Sequence, residues 1–159
     1  MKKETIYLDT SVPSAYYDER VKWRLENTRQ WWEDELPKYD VFISEVVLTE
    51  IRGTENPIRK NELLELVKGF SELKLSLEIE EIAKGYANQK VIPQSYFPDA
   101  LHIAIASFYK IDFLITWNCE HLAEAHRRRK VRLFNASAGL FVPEIMTPME
   151  LVGGGEEDV

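Results

Sequence analysis

Short apolar runs rich in β-branched and aromatic residues alternate along this chain with longer segments of helical periodicity. Parallel strands are joined by long crossovers, usually helices, so this alternation is typical of a parallel sheet with helices on both faces. We therefore predict an α/β fold with a central, mainly parallel sheet. The predicted strands are Thr5–Leu8, Tyr39–Ile43, Glu72–Leu75, Asp112–Thr116 and Phe141–Met146.

The helical segments between these runs carry start and stop signals. Ser44 is a good N-cap for a helix that stops at Gly53, and Pro37 ends the segment before the second strand. The segment after Pro98 is apolar on nearly all sides, which predicts a buried helix. The predicted helices are Ser11–Tyr17, Glu19–Leu36, Ser44–Arg52, one within Asn56–Phe70, Glu78–Lys90, Pro98–Tyr109 and about Cys119–Lys130.

The length of 159 residues and the hydrophobic content of 45% fit one domain with a substantial core. We assign residues 1–152 to this domain and residues 153–159, GGGEEDV, to a disordered acidic tail. The net charge of −7 falls to −4 without the tail. This charge excludes a protein that coats nucleic acid through bulk positive charge, but not an enzyme that acts on a short stretch of nucleic acid.

Three features of the sequence bear on its location. No apolar run approaches the roughly 20 residues of a membrane span, and the first residues lack the apolar segment of a signal peptide. A single cysteine, Cys119, excludes an internal disulfide framework. The sequence therefore favours a soluble, cytoplasmic protein without a membrane segment.

Asp9 ends the first predicted strand, although aspartate is poor strand material. In open parallel sheets ligands bind beyond the carboxyl ends of the strands, and Asp9 lies at such an end. The predicted strand that finishes at Thr116 places Thr116 and Asn118 on the same edge of the sheet. We therefore expect Asp9 and Asn118 to be neighbours in space, although they are far apart in sequence.

Glu50 and Asp99 are two further acidic residues at inward-facing positions. Glu50 is close in helical angle to Val46 and Val47, so it borders the buried face of its helix, where an unpaired carboxylate is costly. Asp99 begins the buried helix, a position that suits an acidic residue because of the helix dipole. His102, one turn further on, is expected to be a hydrogen-bonded core residue rather than a ligand.

Each of these acids has a structural explanation, but three carboxylates brought together would raise one another's pKa and destabilise the fold. A divalent cation removes that conflict, and oxygen ligands without a Cys or His cluster indicate Mg²⁺ or Mn²⁺. Such an ion polarises phosphoryl oxygens and lowers the pKa of a bound water. The sequence thus predicts a metal site with Asp9, Glu50 and Asp99, and phosphodiester hydrolysis as its chemistry.

Several stretches of the chain resemble the PIN-domain family, and most of all its VapC-type toxins of type II toxin–antitoxin systems. The stretches are YLDTSVPSAYYD, ISEVVLTEI, PDALHIAIA, LITWNCEHL and PEIMTPMEL, which lie in the family's order between residues 4 and 151. The resemblance implies a PIN-like three-layer α/β/α sandwich and a Mg²⁺- or Mn²⁺-dependent ribonuclease that cleaves RNA. It also implies a homodimer, and inhibition by a cognate antitoxin protein whose tail enters the cleft.

The resemblance also implies roles for individual residues. Asp9, Glu50 and Asp99 match the family's acidic metal-site residues. Thr10 and Ser11 match the polar residues that follow the first aspartate, and one of them is expected to orient Asp9 or bind a phosphate oxygen.

The loop after the DFLIT strand departs from the family pattern. Many relatives carry a fourth aspartate there, whereas this chain has Asn118 and His121 at the candidate positions. The carbonyl oxygen of Asn118 can still bind an ion or a water, and Thr116 and Asn118 are expected to position ligands. Because Asn118 brings no charge, a second ion would bind more weakly, and the sequence leaves the number of ions open.

Two other functions remain open from the sequence. One is a catalytically weak or inactive protein-binding module of the same fold, which the missing fourth acid favours and which would not bind Mn²⁺. The other is a phosphatase, because haloacid-dehalogenase enzymes also have a strand that ends in aspartate. Those enzymes need a second aspartate two residues later, where this chain has Ser11, and they form a phosphoenzyme at the position of Asp9.

The remaining conspicuous side chains receive structural interpretations. The long helix with Trp23, Trp31 and Trp32 is predicted to pack these rings on the core or on a second subunit rather than on nucleobases. Cys119 is predicted to be a small buried residue rather than a nucleophile. The basic run Arg127–Lys130 is predicted to be a solvated helix end.

Overall fold

Five strands form one sheet in residues 2–153, the part of the chain that the computed structural model describes. All neighbouring strands are parallel, so the predicted α/β fold with a parallel sheet is confirmed. Residues 154–159 of the predicted acidic tail lie outside the described residues. The strands are β1 (Thr5–Leu8), β2 (Asp40–Ser44), β3 (Ser71–Leu73), β4 (Phe113–Ile115) and β5 (Glu144–Met146), in the spatial order β3-β2-β1-β4-β5.

Helices flank the sheet and connect its strands, and α3 begins at its predicted capping residue, Ser44. The Ser44 hydroxyl accepts a hydrogen bond from the Val47 N–H, and the Asn56 side chain caps the next helix in the same way. The helices are α1 (Ser11–Tyr17), α2 (Lys22–Asp34), α3 (Glu45–Arg52), α4 (Pro57–Val67), α5 (Leu77–Asn88), α6 (Phe97–Phe108) and α7 (Ala125–Ala138).

The chain extends the sheet in two directions from β1. It passes from β1 to β2 and β3 on one side, then returns to place β4 and β5 on the other side. Leu8 pairs with Ile115, and the Asp9 N–H donates to the Ile115 carbonyl at 3.3 Å. The strand order therefore reverses between β1 and β4, and such a reversal opens a crevice at the carboxyl ends of the strands.

The core lies on both faces of the central strands. Ile6, Tyr7 and Leu8 of β1 are fully buried, and so are Leu114 and Ile115 of β4. Continuous apolar strands of this kind are typical of a parallel sheet that is covered on both faces. Helix α6 is buried over most of its length, as its sequence predicts. The strands that carry the crevice are therefore held rigidly.

A buried polar cluster joins three helices on one side of the sheet. The Asn135 amide of α7 donates to the Ser107 hydroxyl of α6 at 2.9 Å and to the Phe141 carbonyl at 2.8 Å. The Asn135 carbonyl accepts from the Tyr86 hydroxyl of α5 at 2.7 Å. Each polar group in this cluster has a partner, which is what burial requires.

The prediction of a helix over Cys119–Lys130 is wrong in its position, since α7 begins at Ala125. The Glu124 carboxylate accepts hydrogen bonds from the His126 and Arg127 N–H groups and so caps the helix. The residues before Glu124 form turns, in which the backbone carbonyl of Asn118 accepts hydrogen bonds from the N–H groups of Leu122 and Ala123.

The remaining boundaries differ by a few residues. The predicted helix Glu19–Leu36 is shorter at both ends, and the predicted strand Phe141–Met146 is reduced to the three residues of β5. Within the described range, no helix combines the length and apolar character that a membrane span requires.

Candidate active site

Asp9 lies at the carboxyl end of β1 and is only 4% exposed. One carboxylate oxygen accepts hydrogen bonds from the Ser11 N–H and the Ser11 hydroxyl, and the other accepts from the Thr116 hydroxyl. Burial raises the pKa of Asp9, although the positive charge of His102 and these hydrogen bonds oppose the rise. The carboxylate is thus fixed in one orientation by neutral donors.

Glu50 of α3 contacts the same region of the sheet edge. Its Oε1 accepts from the Thr10 hydroxyl and from His102 Nε2, both at 2.8 Å. Burial acts to raise the pKa of Glu50, but the hydrogen bond and charge of His102 outweigh burial and lower the pKa. The side chain of Glu50 is 39% exposed, and within residues 2–153 no hydrogen bond involves its Oε2.

His102 of α6 links the site to the core, as its predicted role as a hydrogen-bonded core residue requires. Its Nδ1 lies 2.7 Å from the Tyr7 hydroxyl, which lies 2.7 Å from the Ser44 hydroxyl. A continuous chain of hydrogen bonds therefore runs from Glu50 through His102 and Tyr7 to the N-cap of α3. The chain fixes the side chain of Glu50 relative to β1 and α6.

Asp99 lies in the first turn of α6, and its side chain is 20% exposed. Its Oδ2 lies 3.4 Å from His121 Nδ1 and 3.5 Å from the Asn118 amide nitrogen. Burial raises the pKa of Asp99, opposed by the charges of His102 and His121. The His121 ring stacks on Tyr96 with 3.8 Å between centroids, which orients it toward Asp99.

The three acids surround one side chain. The charges of Asp9, Glu50 and Asp99 all act on buried His102. Burial alone would lower the pKa of His102, but the three acids outweigh burial and raise it. Among residues 2–153, no lysine or arginine forms an ion pair with any of the three carboxylates. The predicted acids therefore contact histidines, His102 beside Glu50 and His121 beside Asp99, but no lysine or arginine of the described residues.

The donor set fits a hard divalent cation in charge and ligand type. Mg²⁺ usually keeps several waters and takes one or two protein carboxylates, and Asp9 and Asp99 supply two. Glu50 is engaged by His102 and Thr10. In the described part of the chain, no three or more Asp, Glu, His or Cys side chains are arranged so that together they could hold a metal ion.

The predicted positioning residues are present at this edge. The hydroxyls of Thr10, Ser11 and Thr116 donate to the carboxylates of Glu50 and Asp9. The side-chain amide nitrogen of Asn118 lies near Asp99, while its side-chain oxygen, Oδ1, accepts a hydrogen bond from the His121 N–H. The three hydroxyls thus orient Asp9 and Glu50, whereas the side-chain oxygen of Asn118 bonds within its own loop.

Some features of the site were missed in the sequence or predicted differently. Tyr7 was missed as the partner of His102, and Ser44 as the partner of Tyr7, although the polar end of a tyrosine inside an apolar strand is a signal for a buried hydrogen bond. Cys119 is exposed, so the prediction of a buried cysteine is wrong. Trp31 is buried as predicted, whereas Trp23 is 58% exposed.

The stability of the metal-free protein is expected to fall as pH rises above the ordinary pKa values of three groups of the site. These three groups bind protons more tightly in the folded state. Asp9 and Asp99 have pKa values raised above 3.8, and His102 has a pKa raised above 6.5. Stability from such groups is complete below the ordinary pKa and is lost as pH rises through the raised one. Glu50 has a lowered pKa, so the stability that it contributes is present above its ordinary pKa of 4.5 and is lost only as pH falls below that value.

Melting curves in the presence of a chelator measure this dependence. The variant His102→Gln keeps a hydrogen-bonding side chain without a titrating charge, so its melting temperature should change less above pH 6.5 than that of the wild type. A wild-type melting temperature that climbs between neutral and alkaline pH would contradict the expected sign.

Comparisons with known proteins agree with this architecture. Residues 6–124 match a family model described as PIN domain. A comparison with curated protein sequences gave no match.

Several solved structures are similar to the chain. A toxin–antitoxin complex from Klebsiella pneumoniae has 19% identity and a TM-score of 0.57, covering 76% of this chain and 92% of its own. VapBC-1 from nontypeable Haemophilus influenzae has 16% identity and a TM-score of 0.56, covering 91% and 98%. Mycobacterium tuberculosis VapC20, a toxin that cleaves the sarcin–ricin loop, has 16% identity and a TM-score of 0.55, covering 72% and 91%. At these identities the likeness concerns the fold.

Proposed function

The chain belongs to the PIN-domain family, and from that premise we propose that it is a Mg²⁺- or Mn²⁺-dependent endoribonuclease and the toxin of a toxin–antitoxin pair. One observation carries the proposal. Asp9 and Asp99, two carboxylates whose pKa burial raises, lie at the carboxyl edge of a parallel sheet without a lysine or arginine partner in residues 2–153. Such a site gains stability when a divalent cation binds.

Asp9 and Asp99 would hold the cation, and Glu50 would complete the site. When bound, the ion lowers the pKa of a water and offsets the charge that develops on the phosphoryl oxygens. Ser11 and Thr116 keep the Asp9 carboxylate in one rotamer, so the site needs little rearrangement as substrate binds.

Glu50 and Asn118 have separate tasks. Glu50 Oε2, which makes no hydrogen bond within residues 2–153, accepts the proton of the attacking water, while Thr10 and His102 hold Oε1. The water oxygen bonds to phosphorus, the bond to the leaving ribose oxygen breaks, and that oxygen takes a proton from solvent. The amide of Asn118 orients Asp99 in place of a charged ligand.

We extend the proposal to partners and location. Structures similar to this one from Klebsiella and Haemophilus are toxin–antitoxin complexes, so a cognate antitoxin protein is the expected inhibitor of this chain. The active form is expected to be a homodimer that acts on cytoplasmic RNA. Light scattering of the purified protein tests the dimer.

Cleavage of single-stranded RNA with and without divalent cations tests the proposed reaction. We expect Mn²⁺- or Mg²⁺-dependent products, and none in chelator. Attack by water leaves no 2′,3′-cyclic phosphate, whereas contaminating nucleases that use the RNA 2′-hydroxyl do leave one. Cleavage without a divalent cation, or products that carry only 2′,3′-cyclic phosphates, would contradict the proposed cation-dependent hydrolysis by water.

Cation binding can be measured without catalysis. Mn²⁺ should raise the melting temperature of the wild type, because a ligand that binds only the folded state stabilises it. We expect Asp99→Asn to reduce this rise by more than about half, since one of the two carboxylates that would hold the cation is lost. Asp34→Asn changes an exposed carboxylate at the end of α2 and should respond like the wild type. No response to Mn²⁺ at millimolar concentration would favour the inactive protein-binding module.

A further inference from the structure

An exposed tryptophan lies beside the candidate site. Trp23, in the first turn of α2, is 58% exposed, although tryptophan is usually among the more buried residues of a protein. Its ring meets the ring of Trp117 at an interplanar angle of 89°, with 5.7 Å between centroids. This edge-to-face contact is a favoured aromatic geometry and holds the exposed ring in place.

Trp117 connects that ring to Asp9. Its indole N–H donates to the Thr28 hydroxyl of α2 at 2.9 Å, so the same helix holds both tryptophans. Its backbone N–H donates to the Ser11 hydroxyl at 2.8 Å, and this hydroxyl donates to the Asp9 carboxylate. The position of Trp23 is therefore coupled to the acidic site through one buried residue and one hydroxyl.

We propose that Trp23 is a base-stacking position for single-stranded RNA next to the scissile phosphate, an inference that rests on the proposed ribonuclease function. Every nucleobase presents a π face, so a rigid exposed indole binds an unpaired base without strong sequence preference. A paired base is covered by its neighbours in the helix. The position thus selects unpaired RNA as the substrate class.

The surroundings of Trp23 favour RNA over a protein partner. Exposed Lys22 precedes it, whereas the guanidinium of Arg20, just before α2, is already paired with the Asp18 carboxylate at 2.8 Å. The ammonium group of Lys22 suits a phosphate that flanks a stacked base. No other large hydrophobic residue within α2 or the 117–124 loop is exposed. A stable protein interface requires an extended patch rather than a single ring.

Binding of a fluorescent single-stranded RNA in chelator tests this inference, because no cleavage occurs there. Trp23→Ala should weaken RNA binding and raise Kd by about 5- to 150-fold, the loss expected for one stacked base. Trp23→Phe should recover most of the affinity, since it restores an aromatic face. Phe108→Ala is the matched control, an exposed aromatic residue at the opposite end of α6 from Asp99, and should bind like the wild type.

A series of RNAs with one abasic nucleotide at successive positions sharpens the test. At the stacked position, the missing base should weaken binding to the wild type but not to Trp23→Ala, because the two changes remove the same interaction. A purely structural role for Trp23 would leave the two losses additive. Melting curves of each variant establish that it is folded.

Three outcomes would overturn the inference. If Trp23→Ala binds RNA like the wild type and cleaves it with unchanged KM, the stacking role is lost while the ribonuclease function stands. If RNA binding is unchanged but light scattering shows a smaller oligomer, Trp23 is part of a protein interface. If the wild type neither binds nor cleaves RNA, the proposed function fails and the inference fails with it.

Discussion

Replacing Asp9 with asparagine is expected to lower RNA cleavage by at least about 100-fold, the order of loss seen when one electrostatic group of an active site is removed. The asparagine keeps the shape of the side chain but removes its charge. Its Oδ1 can accept from the Ser11 N–H and hydroxyl, and its amide can donate to the Thr116 hydroxyl. The lost activity would then report the carboxylate charge rather than a broken fold.

The same variant should be at least as stable as the wild type when metal is absent. Burial raises the pKa of Asp9, so the charged form costs stability at neutral pH, above the carboxyl's ordinary pKa. Asparagine is neutral at every pH and removes that cost. Activity and stability are therefore expected to change in opposite directions, which is typical of a group retained for function.

A matched control is available at the other end of the sheet. Asp112 precedes β4 and accepts hydrogen bonds from the Thr5 N–H and hydroxyl, much as Asp9 accepts from Ser11. Asp112→Asn should keep cleavage within about twofold, because surface changes away from a site have small effects. Cleavage assays and melting curves on both variants test the role of Asp9. Equal cleavage by Asp9→Asn and the wild type would show that the Asp9 carboxylate is not needed for the reaction.

The second large effect is expected on stability alone. Asn135→Ala should lower the free energy of unfolding by about 2–4 kcal/mol, since it empties a buried position and leaves the Ser107 and Tyr86 hydroxyls and the Phe141 carbonyl short of partners. In a chain of this size that corresponds to a drop of about 5–15 °C in melting temperature.

Denaturant unfolding of the variant measures this loss. Asn88→Ala, at an exposed position at the end of α5, is the control and should stay within about 0.5 kcal/mol of the wild type. Because the cluster lies away from Asp9, the variant should cleave RNA at the wild-type rate below its melting temperature. A loss smaller than about 1 kcal/mol would show that the cluster is replaceable by water.

Much of the fold follows from local signals. The short apolar run Thr5–Leu8 predicts β1, and Ser44 and Gly53, which mark the ends of a helical segment, predict α3. The convergence of Asp9 and Asn118 on one edge follows from the rule that parallel strands share a carboxyl edge. These inferences need only neighbouring residues and one rule of topology.

Other features depend on contacts that no local pattern contains. The start of α7 depends on whether Glu124 caps it or lies within it, and both choices are compatible with the sequence. The exposure of Trp23 depends on the site loop, because Trp117 takes the buried position beside it. The hydrogen-bond chain through His102 joins residues of β1, α3 and the end of β2, which only tertiary structure brings together.

The pairing of β1 with β4 also has a consequence for synthesis of the protein. Asp9 is translated early, but Thr116, which holds its carboxylate, follows 107 positions later. A nascent chain on the ribosome therefore has no assembled pocket until β4 has emerged and docked beside β1, a contact of long sequence separation that forms late. An enzyme able to attack RNA would thus stay harmless to its own message and to the translating machinery through most of its production.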